Sequence, residues 1–318
     1  MIGIVYKSTG SWYTVRTDEG VFYKCRIKGK FRIQGIKSTN PVAVGDEVEF
    51  EIEEGGDETL GVITKISKRR NYIIRKSVNL SKQTHIIAAN IDQAFLMITL
   101  NNPKTYTIFI DRFLATAEAY DIPAILLFNK IDTYTVDELA EVKYLAELYR
   151  KIGYTCIGLS AITGKNVDQI KELMLRKTSM FSGHSGVGKS TLINKLEPTL
   201  DIKTAEISEQ HLQGQHTTTF AEMFDLSFNA RIIDTPGIKG FGIVDMKKEE
   251  IGDYFPEFFA LKGDCKFNNC LHLDEPQCAI KEALENDEVA WSRYKSYVQM
   301  VTEEDENYRM DIYDTKNK

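Results

Sequence analysis

No apolar run in this chain is long enough to cross a bilayer. The longest, "IIAANIDQAFLMITL" at 86–100, has 15 residues and carries Asp92 inside it, whereas a spanning helix needs about 20 apolar residues. The opening "MIGIVYKSTGSWYTVR" shows no apolar stretch flanked by a cleavage site, so no signal peptide is expected. Cysteine is scarce, five in 318 residues. Without an export signal the expected location is the cytoplasm, where disulfides rarely persist. Internal repeats and low-complexity segments are missing too, which excludes a repeat architecture. What is present is 42% hydrophobic and 27% charged residues, the balance of a globular chain with room for two or three domains.

The net charge of −6 conceals a split. Residues 1–76 carry 14 Lys+Arg against 10 Asp+Glu, and the remainder carries 26 against 36. The first 40 residues hold eight basic residues against Asp18 and Glu19. Such a split suits an N-terminal part that meets a polyanion; a solvated basic face is the other reading.

The periodicity predicts a multi-domain α/β protein. Residues 1–70 contain five short runs rich in β-branched and aromatic residues, "GIVYK", "WYTVRT", "VFYKCRIKG", "DEVEFEIE" and "GVITKIS". Five such strands suit a small β-barrel of the oligonucleotide-binding (OB) kind. Alternation over 21–28 places Phe22, Lys24, Arg26 and Lys28 on one face, with Lys30 and Arg32 continuing the basic run. They are candidates for stacking bases and pairing phosphates, or they solubilise a half-buried strand. Residues 71–244 alternate strands with helices, as in a mostly parallel sheet covered on both faces. Residues 245–318 read as a helical domain with an acidic tail.

Three motifs carry chemistry. Gly183-His184-Ser185-Gly186-Val187-Gly188-Lys189-Ser190-Thr191 is a phosphate-binding loop between a predicted strand and a predicted helix. Its backbone N–H groups can surround phosphate oxygens, Lys189 can reach the terminal phosphates, and Ser190 can ligate magnesium. Asp234-Thr235-Pro236-Gly237 follows about fifty residues later; Asp234 suits a magnesium site, and the Gly237 N–H suits a γ-phosphate sensor. Asn129-Lys130-Ile131-Asp132 selects the base. A carboxylate only accepts hydrogen bonds, and guanine offers the paired donors that adenine lacks. Backbone groups of Ser160-Ala161 suit the guanine O6. The guanine-reading loops therefore precede the phosphate loop in the chain. If all lie at the carboxyl edge of one sheet, the order is a circular permutation.

Cys265, Cys270, His272 and Cys278 fall within 14 residues. Three thiolates and an imidazole suit one tetrahedral zinc ion; small buried thiols beside a surface histidine are the alternative. Cys25 and Cys156 lie inside strand patterns, as core residues do.

Together the loop order, the barrel and the Cys/Cys/His/Cys cluster resemble the small-subunit-dependent ribosomal GTPases of the RsgA (YjeQ) family along essentially the whole chain. The resemblance implies an OB barrel, a permuted GTPase domain and a zinc domain. It implies GTP hydrolysis stimulated by the small ribosomal subunit, a role in that subunit's late maturation, and contact with its rRNA. GTP or GDP, magnesium and zinc are the implied ligands. In "GQHTTT" (214–219), it makes Thr217 or Thr218 a magnesium ligand and His216 the residue that positions water, since Ile238 follows Gly237 where Ras-like proteins place glutamine. Gln215 departs from the arginine usual in the family. No feature calls for a symmetric assembly or a membrane, so a monomer is expected.

Overall fold

The computed structural model describes residues 1–27, 41–53, 59–76, 84–200, 221–234 and 246–302. Five strands form the N-terminal barrel: β1 (Ile2–Ser8), β2 (Tyr13–Arg16), β3 (Phe22–Ile27), β4 (Glu47–Ile52) and β5 (Leu60–Ile66). Their order is β1-β2-β3-β5-β4, and β4 pairs back onto β1 to close the ring. Val5, Tyr13, Val15, Cys25, Val48, Phe50 and Ile63 fill it. Cys25 is a core residue as its strand pattern predicts, and burial pushes its thiol up to about 12. The predicted alternation of β3 holds: Phe22, Lys24 and Arg26 are exposed and Cys25 is buried.

The second sheet has the order β10-β9-β8-β11-β13-β12, from β8 (Gln93–Ile98), β9 (Ala124–Phe128), β10 (Thr155–Gly158), β11 (Thr178–Ser182), β12 (Glu222–Leu226) and β13 (Ala230–Asp234). All neighbours are parallel except β12, which runs antiparallel to β13. Every side chain of β8 is buried, because parallel strands covered on both faces have no solvent side. Ala94, Leu96 and Ile98 enter one core with α1 (Thr107–Ala119) and α2 (Val136–Ile152). Phe95 and Met97 enter the other with α3 (Val167–Met174) and α4 (Lys189–Leu196). Local signals set the helix ends. Thr135 and Glu138 form a reciprocal capping box at the start of α2, and Gly153 ends it at φ 121°.

One element escapes the sequence pattern. The run 86–100 divides between two sheets. Asn90 turns it with φ 56°, so its first part joins a hairpin of β6 (Tyr72–Lys76) and β7 (Thr84–Ala89) while the rest becomes β8. The hairpin side docks the barrel. Gly45 sits at φ +89°, and a Cβ there would lie 2.1 Å from the Ala89 carbonyl oxygen, so only glycine allows this approach. Buried Arg69 and Asp46 pair across the same junction at 2.6 Å. On its other side the barrel extends the second sheet, with β1 pairing β12 at Lys7 and Glu222.

The C-terminal part contains α5 (Lys248–Ile251), α6 (Pro256–Leu261), α7 (Ala279–Glu285) and α8 (Trp291–Thr302) around Phe255, Phe258, Ile280 and Tyr297. It docks through α8 on α1. Arg293, 1% exposed, donates to Asp111 at 2.8 Å and to both Glu257 oxygens at 2.7 and 3.1 Å. Tyr149 also donates to Asp111, at 2.7 Å. Burial works against the guanidinium charge, but the two carboxylates outweigh it and raise the Arg293 pKa well above its ordinary value. Asp111→Ala leaves that cation buried with one partner fewer, and should lower the unfolding free energy by about 3–5 kcal/mol. Lys143→Ala, which removes an exposed i,i+4 pair with Glu147, should cost less than about 0.5 kcal/mol. Urea denaturation measures both; equal effects would show that the buried network carries no special weight.

Candidate nucleotide site and metal cluster

The carboxyl ends of β8, β9, β10, β11 and β13 converge on one edge. Residues 183–188 turn from β11 into α4, whose first turn carries Lys189, Ser190 and Thr191. Gly188 adopts φ +97°, and a Cβ there would meet Asn129 Nδ2 at 2.4 Å. The loop can therefore lie against the β9 loop only with glycine at this position. Lys189 Nζ donates to the carbonyls of Gly183 at 2.6 Å and His184 at 2.8 Å. Burial pushes its pKa down to about 8, partly opposed by Asp234 at the end of β13. An anion at the loop would replace those neutral acceptors with an oppositely charged one.

Asn129 joins two of the predicted motifs. Its Nδ2 donates to the Val187 carbonyl at 2.7 Å, and its Oδ1 accepts from Ala161 N at 3.0 Å. Lys130 takes φ 65° and donates through Nζ to the Asn102 carbonyl; burial lowers its pKa while Asp132 opposes the shift. The carboxylate of Asp132 is exposed. Ser160 is fully buried, its Oγ accepting from Thr163 N at 3.0 Å. The Ser160 and Ala161 amides donate to the Lys165 carbonyl and Asn129 Oδ1. Neither can donate to a ligand without giving up that bond. His216, Thr217, Thr218 and Gly237 lie outside the described residues, as do Gln215 and Ile238.

Two supports are invisible in the motifs. Tyr134 OH donates to the Asn129 carbonyl at 2.9 Å and accepts from Leu100 N at 2.9 Å, which fixes the β9 loop against the β8 end. Phe109 of α1 packs on His184 in the phosphate loop, ring centroids 4.0 Å apart. Both residues read from sequence as ordinary apolar positions. Their partners become visible only once the fold brings distant segments together.

In the C-terminal part, Cys265, Cys270, His272 and Cys278 bring their ligand atoms within 4.8 Å of one another. His272 Nδ1 lies 3.6 Å from the Cys265 thiol and 3.3 Å from that of Cys278. Ligand pairs on a tetrahedral zinc ion would be about 3.5–3.8 Å apart at ordinary bond lengths, so the donor set fits such an ion. Burial pushes the Cys270 thiol up to about 12; a divalent cation among the donors would offset that penalty by binding thiolates. His272 is held at φ 57° with its carbonyl accepting from Tyr294 OH at 2.7 Å. Glu275 accepts from the amides on either side, Leu271 and Leu273, at 2.8 Å each.

The barrel residues are less free than their pattern suggests. Arg26 pairs with Glu53, Lys24 Nζ lies 4.6 Å from the Trp12 ring centre, and Phe22 packs edge-on to Tyr6. Lys28, Lys30 and Arg32 lie outside the described residues.

The chain matches the family model described as RsgA GTPase over residues 66–244 and that of the RsgA N-terminal domain over 2–63. The small ribosomal subunit biogenesis GTPase RsgA of Christiangramia forsetii is 75% identical, covering 98% of this chain and 99% of that protein. Its counterpart in Flavobacterium johnsoniae is 65% identical over 98% and 96%. The crystal structure of YjeQ from Thermotoga maritima superposes with a TM-score of 0.75 at 36% identity, over 94% and 96% of the two chains. That of YloQ, described as a circularly permuted GTPase, gives 0.73 at 31%, over 95% and 93%. Agreement of this extent, across the barrel and the permuted α/β part alike, means that the chain belongs to the RsgA GTPase family and is a GTP hydrolase.

Proposed function

We propose that this chain binds the small ribosomal subunit, acts in its late assembly in the cytoplasm, and hydrolyses GTP under stimulation by that subunit. The observation that carries the nucleotide reading is Asn129, whose amide ties the loop proposed to read guanine to the phosphate loop 58 residues later. The names of the relatives supply the ribosomal part.

In this reading Asp132 accepts both donors of guanine, and the Ala161 amide exchanges Asn129 Oδ1 for guanine O6. The N–H groups of Gly183, His184, Ser185, Gly186, Val187 and Gly188 surround the phosphates, and Lys189 leaves its carbonyl partners for the terminal ones. Ser190, Asp234 and Thr217 or Thr218 hold magnesium, which neutralises charge on the phosphate oxygens when bound. Gly237 senses the γ-phosphate, and His216 orients the attacking water. Cys265, Cys270, His272 and Cys278 hold one structural zinc ion. Phe22, Lys24, Arg26, Lys28, Lys30 and Arg32 face rRNA. The chain acts as a monomer.

Switch GTPases without assistance turn over on the order of 10⁻⁴ to 10⁻² per second. Purified small subunits should raise this tens-fold or more, large subunits should not, and His216→Ala should bind GTP yet lose the stimulated rate. A flat response to small subunits would sink the ribosomal reading.

Asp132→Asn replaces an acceptor-only group with one that also donates. Preference should move from guanine to xanthine nucleotides by about one to two orders of magnitude, the roughly 1–3 kcal/mol of a donor pair left without its acceptor. Competition binding measures it, and undiminished guanine preference would count against Asp132 as the reader.

Elemental analysis of the purified chain should find about one zinc per molecule, with Cys270→Ser and Cys278→Ser losing it and melting earlier. Metal-free protein with unchanged melting would leave the cluster as buried thiols.

A further inference from the structure

The end of the sheet opposite the nucleotide loops holds a cleft that the proposed reaction does not use. Arg176 and Lys177 precede β11, Arg231 lies on β13 and Arg16 on β2; with Asp225 and Asn229 they line an open cleft of about 430 Å³. Strand β11 spans five residues between this cleft and the phosphate loop, roughly 13 Å of chain. The two places are therefore distinct.

The cleft is strongly basic. Four cations face one carboxylate among its described lining residues. Asp225 is shared between Arg16 at 3.3 Å and Arg231 at 3.4 Å, and it also accepts from Tyr6 OH at 2.6 Å. Among the described residues, Lys177 reaches only the neutral Gln93 Oε1, at 3.1 Å. Arg176 has no charged partner among the described residues. Its backbone is nevertheless fixed, the amide donating to the Asn229 carbonyl at 2.7 Å, and Arg231 N donates to the Lys177 carbonyl at 2.9 Å. The cations thus stand on cross-linked strand ends, which keeps them together against their mutual repulsion.

A solvated surface patch would end there. This one continues onto the barrel. The Arg16 guanidinium lies 5.8 Å from the ring centres of both Tyr6 and Phe22. Phe22 is 48% exposed, and beyond it Lys24 sits over Trp12, itself 37% exposed. Aromatic faces alternating with cations are what a strand of nucleic acid needs for its bases and phosphates. A small phosphorylated ligand would use only the cleft and leave this track without purpose.

We propose that the cleft is a phosphodiester-binding site, and that a single strand of RNA runs from the Trp12–Phe22 track into it, across the seam between barrel and sheet. This rests on the RNA-facing reading of β3 and assigns it a path.

The test uses the full-length chain. Anisotropy of a labelled 20-nucleotide uridine RNA is followed at several salt concentrations, with co-sedimentation of small subunits in parallel. Arg176→Glu with Lys177→Glu should weaken RNA binding at least tenfold. It should also flatten the salt dependence by about 1.4 in log–log slope, two contacts at about 0.7 each. Lys143→Glu with Lys151→Glu, the same charge change on exposed positions of α2, should stay within twofold of wild type. Melting temperature reports folding; if the reversal lowers it, Arg176→Gln with Lys177→Gln is read instead and should lose the same two contacts from the slope. Unchanged affinity and slope, equal loss in the α2 control, or no RNA affinity in the wild type at low salt would each overturn the proposal. So would lost subunit binding with RNA binding intact, which would give the cleft to an acidic protein. Wild type that binds RNA as expected but not small subunits would sink the ribosomal reading and leave the cleft standing.

Discussion

One buried amide holds the nucleotide edge of this GTPase together. Asn129 is 2% exposed. Its side chain spans from Val187 in the phosphate loop to Ala161 after β10, and its backbone is gripped by Ile98 and Tyr134. Each of these groups is cut off from water, so each would cost about 1–3 kcal/mol if left unpaired. A circularly permuted chain depends on such a tie. The loops arrive in an unusual order, and their relative placement rests on parallel strand pairing and on this residue rather than on the covalent sequence of motifs.

Helix α1 makes the same edge answerable to the rest of the molecule. Phe109 near its start lies on His184 of the phosphate loop, and Asp111 half a turn further pairs with Arg293 of the C-terminal part. The buried ion pair is poor evidence of net stability, since desolvation offsets much of its attraction. It does fix orientation, because a misplaced guanidinium would be stranded without water. The C-terminal part therefore meets the nucleotide edge through a packed helix.

Much of this was legible beforehand for a physical reason: phosphate loops, base readers and metal clusters are contiguous motifs. Alternating burial in β3 and the helical spacing of α2 are local as well. The hairpin β6–β7 was hidden because "IIAANIDQAFLMITL" is apolar on both sides of Asn90, and hydropathy does not register a positive φ. The Arg293–Asp111 pair joins residues 182 apart, and no spacing rule foretells which buried charges will meet. Arg26 illustrates a different limit. Its outward direction follows from alternation, but its engagement by Glu53 on a neighbouring segment does not. The cleft lined by Arg16, Arg176 and Arg231 was equally unreadable, since three separate segments supply it.

Strand β12 explains why the barrel sits where it does. An unpaired edge strand invites association with other chains, and here the antiparallel β12 is covered by β1. The backbone register shared between them is a single pair, Lys7 with Glu222, so side chains must secure the seam. Tyr6 does this twice over, burying its ring in the core of the second sheet while its hydroxyl reaches Asp225. The close approach of Gly45 to Ala89 supplies a separate point of attachment. A body fixed at two points resists rotation about either, whereas a single seam would leave a hinge. The placement of the barrel is therefore set both at the edge of the second sheet and at the hairpin.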